Sequence, residues 1–224
     1  MDNCHGNSIT VRAAGKINLS LRVTGRRPDG YHTIDTVMHE TGLCDMVTVS
    51  LGGSGITVDC PGDIAPQSNL AYCAAQAYFD ALGRGTGAET CDMYDTCAHA
   101  GDTGAHTGVR IKIEKRIPVS GGMAGGSADA AAVLRALDSL IGGVSRAELE
   151  KAALSLGADV PFCLAGGTMH CTGIGEIMTP CHPLPPHRLM IVGDCGEKRS
   201  TAAMYSELDD CLGQAAGGEF SDAA

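Results

Sequence analysis

No stretch of this sequence approaches a membrane span in length and apolarity. The N-terminus, MDNCHGNSIT, has neither a basic start nor an apolar run, so neither a spanning helix nor an export leader is indicated. Positive charge is also scarce. Sixteen lysines and arginines stand against 26 aspartates and glutamates, for a formal net charge of −10. That balance excludes a nucleic acid or an anionic membrane surface as the natural partner. Any phosphate chemistry must then rest on local positive sites, and the expected partner is a small molecule. C-x-x-C pairs are missing as well, although the chain has 11 cysteines. An odd, scattered set in a chain of this length reads as reduced thiols of a cytoplasmic protein and not as a disulfide framework. What remains is ordinary globular composition, 44% hydrophobic and 19% charged, enough for one large or two small domains.

Glycine is what the sequence has in concentration. In IPVSGGMAGGSADAAAVLRALDSL (117–140), Gly121, Gly122, Gly125 and Gly126 are followed by Ser127 and then by Ala130, Ala131, Val133, Leu134, Leu137 and Leu140 at helical spacing. Glycines there let the backbone curl with its N–H groups inward, and the helix that follows presents a free, positively polarised N-terminus. The pattern therefore predicts a phosphate cradle opening a helix from about Gly125. Two familiar cradles do not fit, because no Gly-Lys-Ser/Thr follows the turn and G-x-G-x-x-G cannot be laid on Ser120–Gly126. A tight turn whose glycines merely allow close packing is the plain alternative.

Around this stretch the chain reads as a sheet with helices. Ile9–Ala14 and the alternating Ile17, Leu19, Leu21 and Val23 predict strand with one buried face, placing Lys16 and Asn18 at a strand entrance. Pro28-Asp29-Gly30 is a turn that delivers Tyr31 and His32. Residues 46–51 and 56–60, joined through glycines, read as a hairpin. Ser68 or Asn69 caps a helix carrying Leu70, Cys73, Ala74, Ala77, Tyr78 and Leu82. Residues 83–108 hold few large apolar side chains and read as a loop insertion; Cys91, Cys97, His99 and His106 within it match no zinc spacing, and no metal ligands are assigned. Val109–Lys115 alternates as a strand, and Ser145 with Glu148 forms a capping box. Asp159 sits in the apolar run GADVPFCLAGG, either as a helix cap or as a working carboxylate. Thr168–Thr172 and Arg188–Val192 read as strands, and Ser200 caps a helix with Ala203, Met204 and Leu208.

Three stretches, AAGKINLSLRVTGRRPDGYHTIDTV, IPVSGGMAGGSADAAAVL and GADVPFCLAGGTMHCTGIGEIMTP, together resemble the 4-diphosphocytidyl-2-C-methyl-D-erythritol kinase family. That family lies within the galactokinase, homoserine kinase, mevalonate kinase and phosphomevalonate kinase (GHMP) superfamily. The resemblance runs from about Ile9 to Tyr205 and implies an α+β, two-domain GHMP-kinase fold. It divides the chain into an N-terminal ATP-binding domain at 1–166 and a partial C-terminal domain at 167–224, the family's later glycine-rich motif falling beyond Ala224. It implies transfer of the γ-phosphate of ATP, with Mg²⁺, to a hydroxyl of a cytidine-diphosphate-linked methylerythritol in non-mevalonate isoprenoid synthesis. Lys16 and Asp159 match the catalytic pair. Pro118, Gly121, Gly122, Gly125, Gly126 and Ser127 match the ATP phosphate loop, with Asn69 and Asp129 at the adenosine. Asn18, Tyr31, His32, Thr201 and Tyr205 match the acceptor-binding positions. Ala124 stands where many relatives have glycine, and Ala128 where many have a second serine.

Overall fold

The computed structural model describes residues 3–62, 68–85, 107–119, 121–182, 184–192 and 201–215. It separates into two units, 1–189 and 190–224. In the first, β1 (Asn3–His5), β2 (Ser8–Arg26), β3 (His32–Leu51), β4 (Ser54–Asp59) and β5 (Thr107–Glu114) form a sheet in the order β1-β2-β3-β5-β4. Long β3 is shared along its length. Its second half pairs antiparallel with β5, while residues 36–39 pair with β6 (Thr168–Thr172), which in turn pairs with β7 (Ile177–Pro180). Helices α1 (Leu70–Gly85), α2 (Gly125–Leu140), α3 (Arg146–Leu156) and α4 (Val160–Ala165) complete the unit, giving the expected α+β architecture.

The core forms where alternating strand residues meet alanine-rich helices. Val47, Val49, Ile111, Leu134, Leu137, Tyr78 and Phe162 are wholly buried, and the small faces of α1 (Ala71, Ala74, Ala75) and α2 (Ala128, Ala131, Ala132) leave room for large neighbours between them. Tyr78 is on the predicted face of α1; its hydroxyl donates to the Gly142 carbonyl at 2.8 Å, and burial pushes its pKa well up. Asn69 caps α1, its Oδ1 accepting from the Ala71 N–H at 2.9 Å. The Ser145–Glu148 capping box closes as predicted at the start of α3. No helix among the described residues is long and apolar enough to cross a membrane, and Cys44, Cys60, Cys73, Cys163, Cys171, Cys181 and Cys211 are free thiols.

Several expectations are corrected. Residues 46–51 and 56–60 do not form a hairpin, because β5 lies between β3 and β4, antiparallel to one and parallel to the other. The central place goes to the strand with most to bury: Val109, Ile111 and Ile113 are all buried, whereas Ile56 and Val58 are only partly covered at the sheet edge. Residues 188–192 form no strand, since apolar β-formers without a ladder partner are not a strand. Ile17, Leu19, Leu21 and Val23 do lie in β2, but Leu19 and Leu21 are exposed, so the expected buried face is not covered there. The first compact unit extends to Leu189, with β6 hydrogen-bonded into the main sheet. Residues 83–85 finish α1 and 107–108 begin β5; Cys91, Cys97, His99, His106 and Ser200 lie outside the described residues.

Among its described residues the second unit has the helix α5 (Thr201–Ala215), which carries Ala203, Met204 and Leu208 as expected.

Candidate active site

Lys16 leaves β2 toward α4. It is 7% exposed, and its ammonium lies 3.7 Å from Asp159 Oδ1 and donates to Asn18 Oδ1 at 3.3 Å. Asp159 stands at the position preceding α4, yet its side chain makes no capping hydrogen bond there. The helix begins without that help, through Pro161 in its first turn and the Cys163 N–H donating to the Asp159 carbonyl at 3.0 Å. The carboxylate is thus free for Lys16, and its side chain remains about a third exposed. Cys163, one turn on, is a spectator: burial first, and then the charge of Asp159, push its thiol up to about 12.

The glycine stretch folds as a loop opening α2. Gly122 and Ala124 both take left-handed backbone, at φ 75° and 55°. For Ala124 that conformation costs about 1 kcal/mol relative to glycine. Because Ala124 has no side-chain acceptor, nothing on it satisfies the first N–H groups of α2. Gly125, Gly126 and Ser127 form that first turn, and Pro118 closes the loop's entrance by accepting from the Gly121 N–H at 3.2 Å. Ser120 lies outside the described residues. The loop is tied to the lysine strand directly, the Lys16 N–H donating to the Met123 carbonyl at 3.0 Å.

Beneath the cradle is a group that sequence reading did not assign. Lys115 Nζ is shared between Asp45 Oδ2 at 2.5 Å and Asp129 Oδ2 at 2.8 Å, while Asp45 Oδ1 accepts from the N–H groups of Arg116 and Ile117 at 2.5 and 2.8 Å. Asp45, wholly buried, thereby fixes the segment that leads into the loop. Asp129 Oδ1 is buried without a partner. Burial raises the Asp129 pKa to about 7 against the pull of Lys115, with Asp45 adding to the rise. Burial alone would lower Lys115, but its hydrogen bonds to Asp129 and Asp45 prevail and raise it. One cation serves two carboxylates, and the one lacking backbone donors tends to hold a proton. Asp45 was detectable only as a lone acid in an alternating apolar run, and Lys115 only as the basic end of a strand.

On the other side, Pro28-Asp29-Gly30 forms the predicted turn. The Gly30 N–H donates to the Arg27 carbonyl at 3.0 Å and the Tyr31 N–H to Asp29 Oδ1 at 3.2 Å. Tyr31 emerges 60% exposed, and His32 is half-buried and paired with Arg26 in the ladder. Asn18 is exposed beside Lys16. Further along β3, Asp35 pairs with His170 at 3.0 Å and Arg22 at 3.3 Å; the His170 hydrogen bond, against some burial, lowers its pKa. Tyr205 is half-buried within α5 of the second unit. Thr201 opens that helix, its side chain outside the described residues.

Comparison with known proteins finds kinases. The family described as GHMP kinases N terminal domain matches residues 69–167. A 4-diphosphocytidyl-2-C-methyl-D-erythritol kinase of Desulfitobacterium hafniense (strain Y51) is 41% identical over 204 residues, covering 91% of this chain and 62% of the relative. The chain thus spans under two thirds of that relative's length. A solved 4-(cytidine 5'-diphospho)-2C-methyl-D-erythritol kinase superposes with a TM-score of 0.60 at 37% identity, over 77% of this chain and 55% of its own. The mevalonate kinase of Methanococcus jannaschii, at 12% identity and a TM-score of 0.52 over 80% of this chain and 57% of its own, shares the fold alone. Over residues 69–167, with the sheet that carries Lys16 packed against them, this chain is thus similar to the N-terminal domain of GHMP kinases.

Proposed function

We propose that the chain is the N-terminal, nucleotide-binding part of a kinase that phosphorylates a hydroxyl of 4-(cytidine 5'-diphospho)-2-C-methyl-D-erythritol, within non-mevalonate isoprenoid synthesis. The carrying observation is the Lys16–Asp159 pair, 3.7 Å apart, on a strand whose Lys16 N–H is bonded to the glycine loop. A base, a cation and an anion cradle so joined have the parts that phosphoryl transfer asks of a protein, namely positioning and electrostatic support.

ATP, when bound, supplies the phosphoryl group. On this chain, the free N–H groups of Gly125, Gly126 and Ser127, backed by the α2 dipole, receive its phosphates. Pro118, Gly121 and Gly122 shape the wall, and Asn69, at the start of α1, takes the adenosine side, while Asp129 lies buried on Lys115 behind the cradle and is not placed to touch the base. No cluster of three His, Cys, Asp or Glu residues among those described could cage a metal. Mg²⁺ accompanying the nucleotide would accordingly be held by phosphate oxygens, with the Ser127 hydroxyl the protein group nearest in kind. Asp159, open enough to be reached, accepts the proton of the acceptor hydroxyl. Lys16 holds the carboxylate and offsets the charge that develops as the oxygen attacks, with Asn18 fixing the ammonium. Tyr31 and His32, at the turn of the first unit, bind the cytidyl end of the acceptor.

An ATP-consumption assay comparing the cytidyl compound with mevalonate and homoserine tests this reading. Turnover of the first alone is expected. Turnover of either of the others in preference would transfer the chain to a different GHMP kinase activity.

A further inference from the structure

The β2–β3 ladder is irregular on both sides of the lysine. Between Ala14 and Lys16 a single β2 residue, Gly15, faces three of β3, residues 41–43. Between Asn18 and Ser20, β2 instead carries one residue more than its partner. Such irregularities turn backbone groups out of the ladder, and these groups need partners elsewhere. A threonine of β3 supplies one in both places. Thr41, 4% exposed, donates its hydroxyl toward the carbonyls of Gly15 and Leu43, both at 3.1 Å. Thr36, wholly buried, donates to the Ser20 carbonyl at 2.5 Å.

Two further connections meet β2 and β3 beside the first irregularity. The Lys16 N–H goes to Met123 of the cradle, at 3.0 Å. The N–H of its ladder partner, Glu40, carries the β3–β6 pairing one step past His39 and Thr168 to the Gly167 carbonyl at 2.8 Å, and the Glu40 carboxylate accepts back from the Gly167 N–H at 2.9 Å. Gly167 follows α4, the helix that Asp159 begins. One point in the ladder thus ties the lysine strand to the phosphate loop on one side and to the end of the Asp159 helix on the other. Gly15 permits the close approach: a Cβ there would lie 3.2 Å from Met123 Cε and 3.3 Å from the Met123 carbonyl.

We propose that Thr41 is a positioning residue, whose buried hydroxyl sets the break in the β2–β3 ladder from which Lys16 engages the cradle and Glu40 engages the end of α4. This rests on the reading of Lys16 and Asp159 as the reacting pair, but its geometry is testable without turnover. Thr41→Val keeps the shape and removes the donor, while Thr41→Ser keeps the donor.

Residue-resolved amide hydrogen exchange, with steady-state kinetics on the cytidyl acceptor, decides between them. In Thr41→Val the Lys16 and Glu40 amides are expected to exchange about tenfold faster, with kcat down by a similar factor and the ATP KM unchanged, as befits one lost buried donor. The Val47 and Ile111 amides keep parental rates, and Thr41→Ser restores both Lys16 and Glu40. Parental exchange at Lys16 in Thr41→Val, equal acceleration of all four amides, or a Ser variant as damaged as the Val variant would overturn the proposal. If Thr41→Val does not fold, Gly15→Ala, which crowds Met123 from the other side, is expected to deprotect the Lys16 amide, and unchanged exchange there also overturns it. Selective exchange in a chain that turns over no acceptor would count against the kinase reading and leave the positioning role standing.

Discussion

The two halves of the β2–β3 ladder have the same sequence pattern and different surroundings. In the inner half Val11 is 4% exposed, Ala13 0% and Val47 0%; in the outer half Leu19 is 44% and Leu21 51% exposed. Both halves alternate, and both are strand. The difference is what lies across from them: α2 packs over the inner half, whereas the outer half of β2 is left open. Alternation records the geometry of a strand, and coverage is decided by elements distant in sequence. Lys16 sits at the border, buried as an inner residue is but one step from open strand.

The border position makes the strongest claim, because residues there are expected to govern chemistry more than folding. Asp159→Asn and Lys16→Met should each lower kcat by about 10²- to 10⁴-fold while ATP affinity stays within a few fold, as neither belongs to the cradle. Steady-state kinetics and titration calorimetry measure the two quantities separately. A near-parental kcat for Asp159→Asn would return that residue to a purely structural place before α4.

The inner half should behave as core. Leu134 is wholly buried in α2 against the sheet, so Leu134→Ala is expected to cost about 2–5 kcal/mol in denaturant unfolding, through lost transfer free energy and the cavity left behind. A cost below 1 kcal/mol would mean that α2 does not cover the inner ladder as tightly as its burial indicates.

Local signals in the sequence were sufficient where the determining contacts are local. The loop-to-helix junction at Gly125, the Asn69 and Ser145 caps and the turn before Tyr31 depend on a few adjacent residues, and all appear in the structure. The hairpin failed because whether β3 pairs with β4 or β5 is settled by burial across about fifty residues of chain. Asp45 escaped notice for a related reason. Its partners, Lys115 and Asp129, are 70 and 84 positions away, and an isolated acid in a strand carries no sign of them. The Lys16–Asp159 pairing was legible only through the resemblance, since 143 residues separate the two and no spacing rule joins them.

That hidden cluster gives a prediction at the inner end of the comparison. The Asp129 pKa is raised from 3.8 to about 7, so between those values the folded state keeps a proton that the unfolded chain has released. Stability attributable to Asp129 must therefore fall as pH rises through this window, by at most about 1.4 kcal/mol per pH unit, and level off above it. Asp129→Asn removes the titration, so parental stability minus variant stability should decline from pH 4 to 7. Chemical unfolding across that range tests it, and a flat difference would show an ordinary, ionised carboxylate.

At the outer tip the expected effect is smaller and of another kind. Tyr31 is 60% exposed on a turn held by its own backbone hydrogen bonds, so Tyr31→Ala should leave the melting temperature in place. If the ring stacks on the cytosine of the acceptor, its loss costs about 1–3 kcal/mol, appearing as roughly a tenfold or larger rise in acceptor KM with ATP KM unchanged. A fall in melting temperature would instead make Tyr31 part of the packing and blur the contrast between the two halves.

The smallest effect is the most direct test of that contrast. Leu21 pairs with Thr36 in the ladder, so its backbone is as well ordered as that of any inner residue. Its side chain nevertheless stays half exposed, and the transfer free energy that makes Leu134 expensive to remove is mostly not gained there. Threonine is a good strand former and keeps the β-propensity of the site. Leu21→Thr should thus change unfolding stability by no more than about 0.5 kcal/mol, the usual range for surface substitutions. A loss of 2 kcal/mol or more, comparable with Leu134→Ala (about 2–5 kcal/mol), would mean that the outer strand is covered in solution, and the division of the ladder into a packed half and an open half would be lost.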